Sequence, residues 1–246
     1  FRSLKLYQRE GAIVLSDAVP VLENFGFRVL EEVPTALDRG RLGFIHDFLV
    51  ATPEDTDAEA LLARSDAVET SLAAVLNGAA EDDAFNRLIV AVALSAQQAN
   101  WLRAWFRYLR QTGMTFAIAT VVDALKNAPG VTCGLVDLFV ARHDPAFVGN
   151  RADAETGAAE RIRAGLANVA AINDDRLLRS FRAVVEAILR TNAFAPAAQE
   201  ALAFKIDSAL VPGLPLPVPW RGIFGYSPRV EDRKSTRLNS SHTDIS

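Results

Sequence analysis

Apolar positions in the first fifty residues follow the two periods that separate strands from helices. Residues 4 to 8 (Leu-Lys-Leu-Tyr-Gln) alternate, and Glu10-Gly11 breaks the run. Ser16 is placed to cap a helix that carries Val19, Leu22 and Phe25 on one face, with Gly26 at its left-handed stop. Pro20 falls in or just after the first turn, where most N–H groups lack partners in any case. Two runs rich in β-branched and aromatic residues follow, Phe27 to Val33 and Leu42 to Val50, joined by Pro34 to Arg41 with turn residues Asp38 and Gly40. The predicted order is β-α-β-β.

Helical periodicity then takes over. Thr56-Asp57-Ala58-Glu59 reads as a capping box, and Leu61, Val68, Leu72 and Val75 keep one face apolar until Asn77-Gly78. Phe85, Leu88, Ile89 and Val92 mark a short helix, and Ser95-Ala-Gln-Gln98 is a second capping box opening a helix to about Thr112. Phe116 to Asn127, Val131 to Arg142, Asp153 to Ala171 and Asp174 to Thr191 repeat the period, without a fixed-length repeat that would mark a solenoid. From Ala201 the texture changes. Leu202 to Ile206 alternates, prolines at 212, 215, 217 and 219 force an extended path, and Ile223 to Tyr226 reads as a second strand. The only other predicted strands lie far upstream, with about 110 helical residues between, so these two read as unpaired strands. On that reading a chain ending at Glu231 self-associates more than one ending near Asn192.

Composition narrows the class. Half of the residues are hydrophobic and 23% are charged, which excludes disorder throughout. No apolar run reaches the roughly 18 to 20 residues of a membrane span, and no basic patch precedes an apolar signal core. The net charge of -4 offers no cationic field for phosphate backbones, so nucleic acid is excluded as a partner. The single Cys133 cannot form an internal disulfide, and a reducing compartment fits best. The prevalence of Arg over Lys reads as GC-rich codon usage. The chain opens at Phe1 without an initiator Met, which predicts that it begins inside a longer reading frame. Residues 232–246 (Asp-Arg-Lys-Ser-Thr-Arg-Leu-Asn-Ser-Ser-His and four more) resemble a translated sequencing adapter, are expected to be disordered, and take His242 off the list of ligands.

Candidate chemistry is sparse. His46-Asp47 and His143-Asp144 suggest metal hydrolysis, yet strand alternation sends His46 and Asp47 to opposite faces, and His143 reads as a cation at a helix C-terminus. No metal site is expected. Trp101, Trp105 and Tyr108 form an aromatic core face beside a stripe of Arg103, Arg107 and Arg110 turned to solvent or acidic neighbours, and Cys133 reads as a buried structural thiol. Neither common phosphate-cradling loop is present, so no catalytic or cofactor-binding residue is assigned. One candidate effector site remains: Gly11 ahead of the Ser16 helix, where backbone N–H groups would meet an anion such as an amino-acid carboxylate. The plainer reading is an ordinary strand-to-helix turn. Pro212-Gly-Leu-Pro215 reads as a stiff connector.

Several segments, in order, resemble the large bacterial NAD-specific glutamate dehydrogenase. They are Leu4-Lys-Leu-Tyr7, Leu15-Ser-Asp-Ala-Val-Pro-Val-Leu-Glu-Asn-Phe-Gly26, Ile45-His-Asp-Phe48, Phe85-Asn-Arg-Leu88, Leu102-Arg-Ala104, Arg107-Tyr-Leu-Arg-Gln111, Leu189-Arg-Thr-Asn192, Phe204-Lys205, Leu214-Pro-Leu-Pro217 and Tyr226-Ser-Pro-Arg-Val-Glu231. The resemblance implies an α+β, mostly α chain. An ACT-like regulatory unit at 1–78 is followed by a helical domain at 79–192 and an extended, β-containing approach to a catalytic domain at 193–231. It also implies a cytoplasmic homo-oligomer that uses NAD, a possible amino-acid effector, and catalytic residues beyond Glu231 in a domain this stretch would scaffold. The alternative is a free-standing helical module binding a ligand or partner. Reading the genomic sequence past the Glu231 codon separates the two, since only the first requires an in-frame nucleotide-binding domain.

Overall fold

The computed structural model describes residues 2–53, 56–214 and 216–227, and two compact units divide at Ala99/Asn100. The tail at 232–246 lies outside the described residues. The first unit contains β1 (Arg2–Gln8), α1 (Leu15–Asn24), β2 (Arg28–Leu37), β3 (Gly43–Ala51), α2 (Ala58–Leu62), α3 (Ser65–Leu76) and α4 (Arg87–Ala91). The β-α-β-β order is therefore observed, within an α+β fold.

The three strands form an antiparallel sheet in the order β1-β3-β2. Alternation sorts β3 as a period of two requires: His46, Phe48 and Val50 are buried, while Asp47 and Leu49 face the other side. Pro34 is tolerated inside β2 because β2 is an edge strand, where one row of backbone groups has no ladder partner to lose. Leu22 of α1 with Phe25 at its C-cap, Phe48 and Val50 of β3 and Leu72 of α3 close the core, together with Ile89 and Val90 of α4. Because α4 contributes to this core, the first unit runs past the boundary expected at 78/79.

Two helix starts differ from the expected ones. Ser16 does not cap α1: Val14 has the extended backbone of an N-cap, and its carbonyl accepts from the N–H of Asp17 and of Ala18, so the helix starts one residue before Ser16. The second predicted helix is capped by Asp57 and not by Thr56: the Asp57 carboxylate accepts from the N–H of Glu59 and Ala60. It then breaks at Arg64, whose guanidinium donates to the carbonyls of Ile89 and Val90 at 3.1 and 3.3 Å. That contact ties the α2/α3 junction to α4. The capping box at Ser95 forms as predicted, with Gln98 N–H donating to Ser95 Oγ at 3.1 Å and Ser95 N–H donating to Gln98 Oε1 at 2.9 Å.

The second unit begins inside α5 (Ala96–Gln111) and continues with α6 (Ile118–Asn127), α7 (Pro129–His143), α8 (Arg151–Leu166) and α9 (Ile172–Ala187). β4 (Ile188–Thr191), β5 (Leu202–Asp207) and β6 (Arg221–Tyr226) follow. Here the structure corrects the sequence reading. The helix expected to run to Thr191 stops at Ala187, and Ile188–Thr191 pairs with β5 in an antiparallel sheet ordered β4-β5-β6. Asn192 extends the ladder, its side chain donating to the carbonyl of Ala201 and accepting from the N–H of Ala203. The C-terminal strands thus find their partner within this stretch. Trp105, Phe106, Phe139, Phe181 and Phe204 are fully buried. α7 and α8 approach closely at two glycines: a Cβ on Gly134 would lie 2.8 Å from Ile162, and one on Gly165 would lie 2.6 Å from Val131.

Candidate functional site

The first unit holds a groove of about 730 Å³. Its length follows β1, since every residue from Arg2 to Arg9 borders it. Leu61 of α2 and Val68, Leu72 and Leu76 of α3 form the facing wall. The start of α1 closes one end through Ala12, Ile13 and Val14. The walls are apolar because the inward positions of β1 and the inward stripe of α3 are core-type residues. The rim is charged, with Arg2, Lys5 and Arg9 along β1 and Asp17 and Glu69 on the helices.

A buried histidine fixes the end of this groove. His46 is 2% exposed; its Nε2 accepts the N–H of Ile13 at 3.0 Å, and its Nδ1 meets the Glu32 carboxylate at 2.6 Å. Accepting from Ile13 leaves Nε2 without a proton, so Nδ1 carries it and donates to Glu32. A residue on β3 thereby holds the β1–α1 loop against the sheet. Asp47, next in sequence, points to the opposite face, where hydrogen bonds from Ser3 and then Lys5 hold its carboxyl below the usual carboxylate range.

Gly11 and Ser16 do not line the groove. Gly11 has φ +72, and a Cβ there would meet nothing within 4 Å. Its role is the left-handed turn that carries the chain from β1 to α1. Ser16 is exposed, with its hydroxyl donating to Asp17 at 3.4 Å. The groove was missed in the sequence because its walls come from residues some sixty positions apart. The signal present was Leu4 and Leu6, apolar on a strand whose other neighbour was nowhere predicted.

The remaining candidates are structural. No group of three or more His, Cys, Asp or Glu side chains that could hold a metal occurs among the described residues. His143 is pushed down to about 4 by burial and by Arg142 and Arg151, and its ring lies 5.1 Å from Phe139. It is not the helix-end cation expected. Cys133 is half-buried with its thiol pushed up by burial and by Asp137, the opposite of an activated nucleophile. Arg103 is buried and donates to Asn100, so the arginine stripe of α5 does not face solvent along its whole length. No helix among the described residues is long and apolar enough to cross a membrane.

Three family descriptions match in chain order. Residues 1–62 match the glutamate dehydrogenase ACT3 domain, 80–145 its helical motif 3, and 161–238 the bacterial NAD-glutamate dehydrogenase catalytic domain. The chain belongs to the bacterial NAD-glutamate dehydrogenase family. It is 35% identical to the NAD-specific glutamate dehydrogenase of Pseudomonas aeruginosa over 92% of its length, and 36% identical to that of Halomonas elongata over 93%. It is 34% identical to that of Mycobacterium tuberculosis over 88%. In each case the chain spans 14% of the relative's length. The catalytic-domain match begins in α8, upstream of the approach segment expected at 193–231, and reaches into the tail at 232–246. The described sheet within that match is ordered β4-β5-β6 and both of its strand pairs are antiparallel.

Proposed function

We propose that residues 1–231 are the last ACT-like unit, the adjoining helical segment and the entry to the catalytic domain of an enzyme that oxidises L-glutamate. With NAD and water the products are 2-oxoglutarate, ammonium and NADH. The observation that carries this reading is the order of the three family matches, which reproduces along one chain the succession from ACT domain to helical motif to catalytic domain. Within that enzyme this stretch scaffolds the catalytic domain, its neighbour in the same subunit. The ACT-like unit is the part suited to sensing an amino-acid effector, and the subunits assemble as a homo-oligomer. NAD binds in the part of the subunit beyond these residues.

Two assays test this. The purified 246-residue chain is expected to give no glutamate-dependent NADH, because hydride transfer needs a cofactor cleft and this reading puts that cleft beyond these residues. The longer protein that contains it is expected to give NADH from glutamate. Turnover that follows the short chain through purification, or a longer protein without dehydrogenase activity, overturns the reading. The latter result would favour a free-standing ligand-binding or partner-binding module.

A further inference from the structure

The groove runs the full length of β1. Seven residues of β1 pair with β3 in unbroken register from Arg2↔Val50 to Gln8↔Phe44, and among the described residues no strand lies on the other side of β1. β1 also lacks the usual protections of a free edge, having no proline and no bulge, and its one lysine, Lys5, is paired to Asp47. The succession β1-α1-β2-β3-α3 is a ferredoxin-like β-α-β-β-α-β unit without its closing strand. After α3 the chain passes through Asn77-Gly78 to α4, and among the described residues no strand returns to the sheet. α3 therefore overhangs an empty strand position, turning Val68, Leu72 and Leu76 toward the space beside Leu4 and Leu6.

We propose that this slot holds an extended segment of the same longer polypeptide, lying outside residues 1–246, which adds to the sheet as a strand beside β1. Main-chain hydrogen bonds to β1 supply the affinity, and side chains alternating along the segment supply the fit. Those facing α3, on the side of Leu4 and Leu6, are apolar, and those on the far face, the side of Lys5 and its partner Asp47, are polar. Two observations favour this occupant. The chain spans 14% of its relatives, so the same polypeptide offers many segments at the high effective concentration that tethering gives. A second copy pairing β1 with β1 would bring its own α3 over the same pair of strands. Strands lie about 4.8 Å apart, whereas packed helices need about 8 to 10 Å, so two overhanging helices do not fit above one strand pair.

This rests on the chain belonging to a longer subunit, and its test is separable from the dehydrogenase assay. Glu69, exposed on α3 at the rim of the groove, is replaced as Glu69→Cys and labelled with a benzophenone photo-crosslinker in the longer protein. Hydrogen exchange across β1 is followed in that protein and in the 246-residue chain at two concentrations. The expected result is an intrachain crosslink to an alternating apolar segment, with β1 amides protected at least tenfold more in the longer protein. Protection in the short chain that rises with concentration would mean a second copy. Equal exchange in both proteins would mean an open edge, and a crosslink only to another protein would mean a foreign strand; each of these overturns the proposal. A longer protein without dehydrogenase activity that still gives the intrachain crosslink removes only the functional reading.

Discussion

The two units each hold a three-stranded antiparallel sheet, and they differ in whether the chain that builds the sheet also completes its surroundings. In the second unit the central strand β5 has both neighbours within forty residues, and Phe204 on it is sealed by Phe139 and Phe224 at centroid distances of 6.2 and 6.4 Å. In the first unit β1 pairs on one side only, beside a groove of about 730 Å³. The far face of that sheet shows Tyr7, Val33 and Leu49 to solvent. A sheet that closes on local strands depends on the chain's own length. One that leaves an edge and a face open does not close on its own strands.

Truncation gives the largest effect that would break this contrast. Ending the chain at Asn192 removes β5 and β6, strips β4 of its partner and exposes the apolar side chains that β5 buries, Leu202, Phe204 and Ile206 having been their cover. The shorter chain is expected to scatter more light at equal concentration than one ending at Glu231, the reverse of the expectation drawn from the pattern alone. If the Asn192 chain is the cleaner monomer, β4 is not held by β5 as described.

Substitution inside the aromatic core is next. Phe139 is fully buried and lies 4.9 and 5.1 Å from the rings of Trp101 and Trp105 and 5.7 Å from Phe194. Phe139→Ala is expected to cost about 3 to 5 kcal/mol, read as a lowered denaturant midpoint by tryptophan fluorescence, because the close-packed rings cannot collapse into the void. A change below about 1 kcal/mol would mean that the cluster is loosely packed.

The first unit answers with a smaller effect at a polar site. His46→Ala leaves the N–H of Ile13 without its acceptor and the partly buried Glu32 carboxylate without its donor. The cost is about 1 to 3 kcal/mol, and the Ile13 amide should exchange faster while the amides of α9 do not. Unchanged exchange at Ile13 would show that something other than His46 holds the loop at the end of the groove.

Legibility followed the range of the interactions involved. The strands of the first unit could be read because the alternation of Leu4 to Gln8, the β-branched and aromatic runs Phe27 to Val33 and Leu42 to Val50, and the turn around Asp38-Gly40 are local. Ser95 with Gln98 could be read as a cap because both partners lie within one turn. β4 could not: Ile188 and Leu189 continue the apolar stripe of α9 in period, and what ends the helix is pairing with residues 202–206, a non-local event. The Ser16 cap failed for a subtler reason, since which residue turns extended is set by where the loop is pinned, and His46 pins it at Ile13. The groove was least legible of all. It is made by a strand that does not follow α3, and the apolar faces of β1 and α3 look the same in sequence whether or not that strand arrives.

The smallest expected effect comes from His143 in the second unit, and its sign follows from burial. The ring lies against Phe139, with Arg142 and Arg151 adding positive potential, and its pKa falls from 6.5 to about 4. In the unfolded chain the same ring takes up a proton near 6.5, so between about pH 6.5 and 4 the unfolded state binds a proton that the folded state refuses. The stabilisation from keeping this ring neutral is complete above the higher value, is lost as pH falls through the window, and is gone below the lower one. Because the imidazole is only partly buried, solvent screening trims the effect below that of losing the His46 contacts. His143→Leu removes the proton from both states, so its denaturant midpoint should decline less steeply than that of the parent chain over this window, with the two curves separating most near pH 4. Parallel curves would show that the ring titrates freely in the folded chain, and that the second unit is more open at the end of α7 than its sealed sheet suggests.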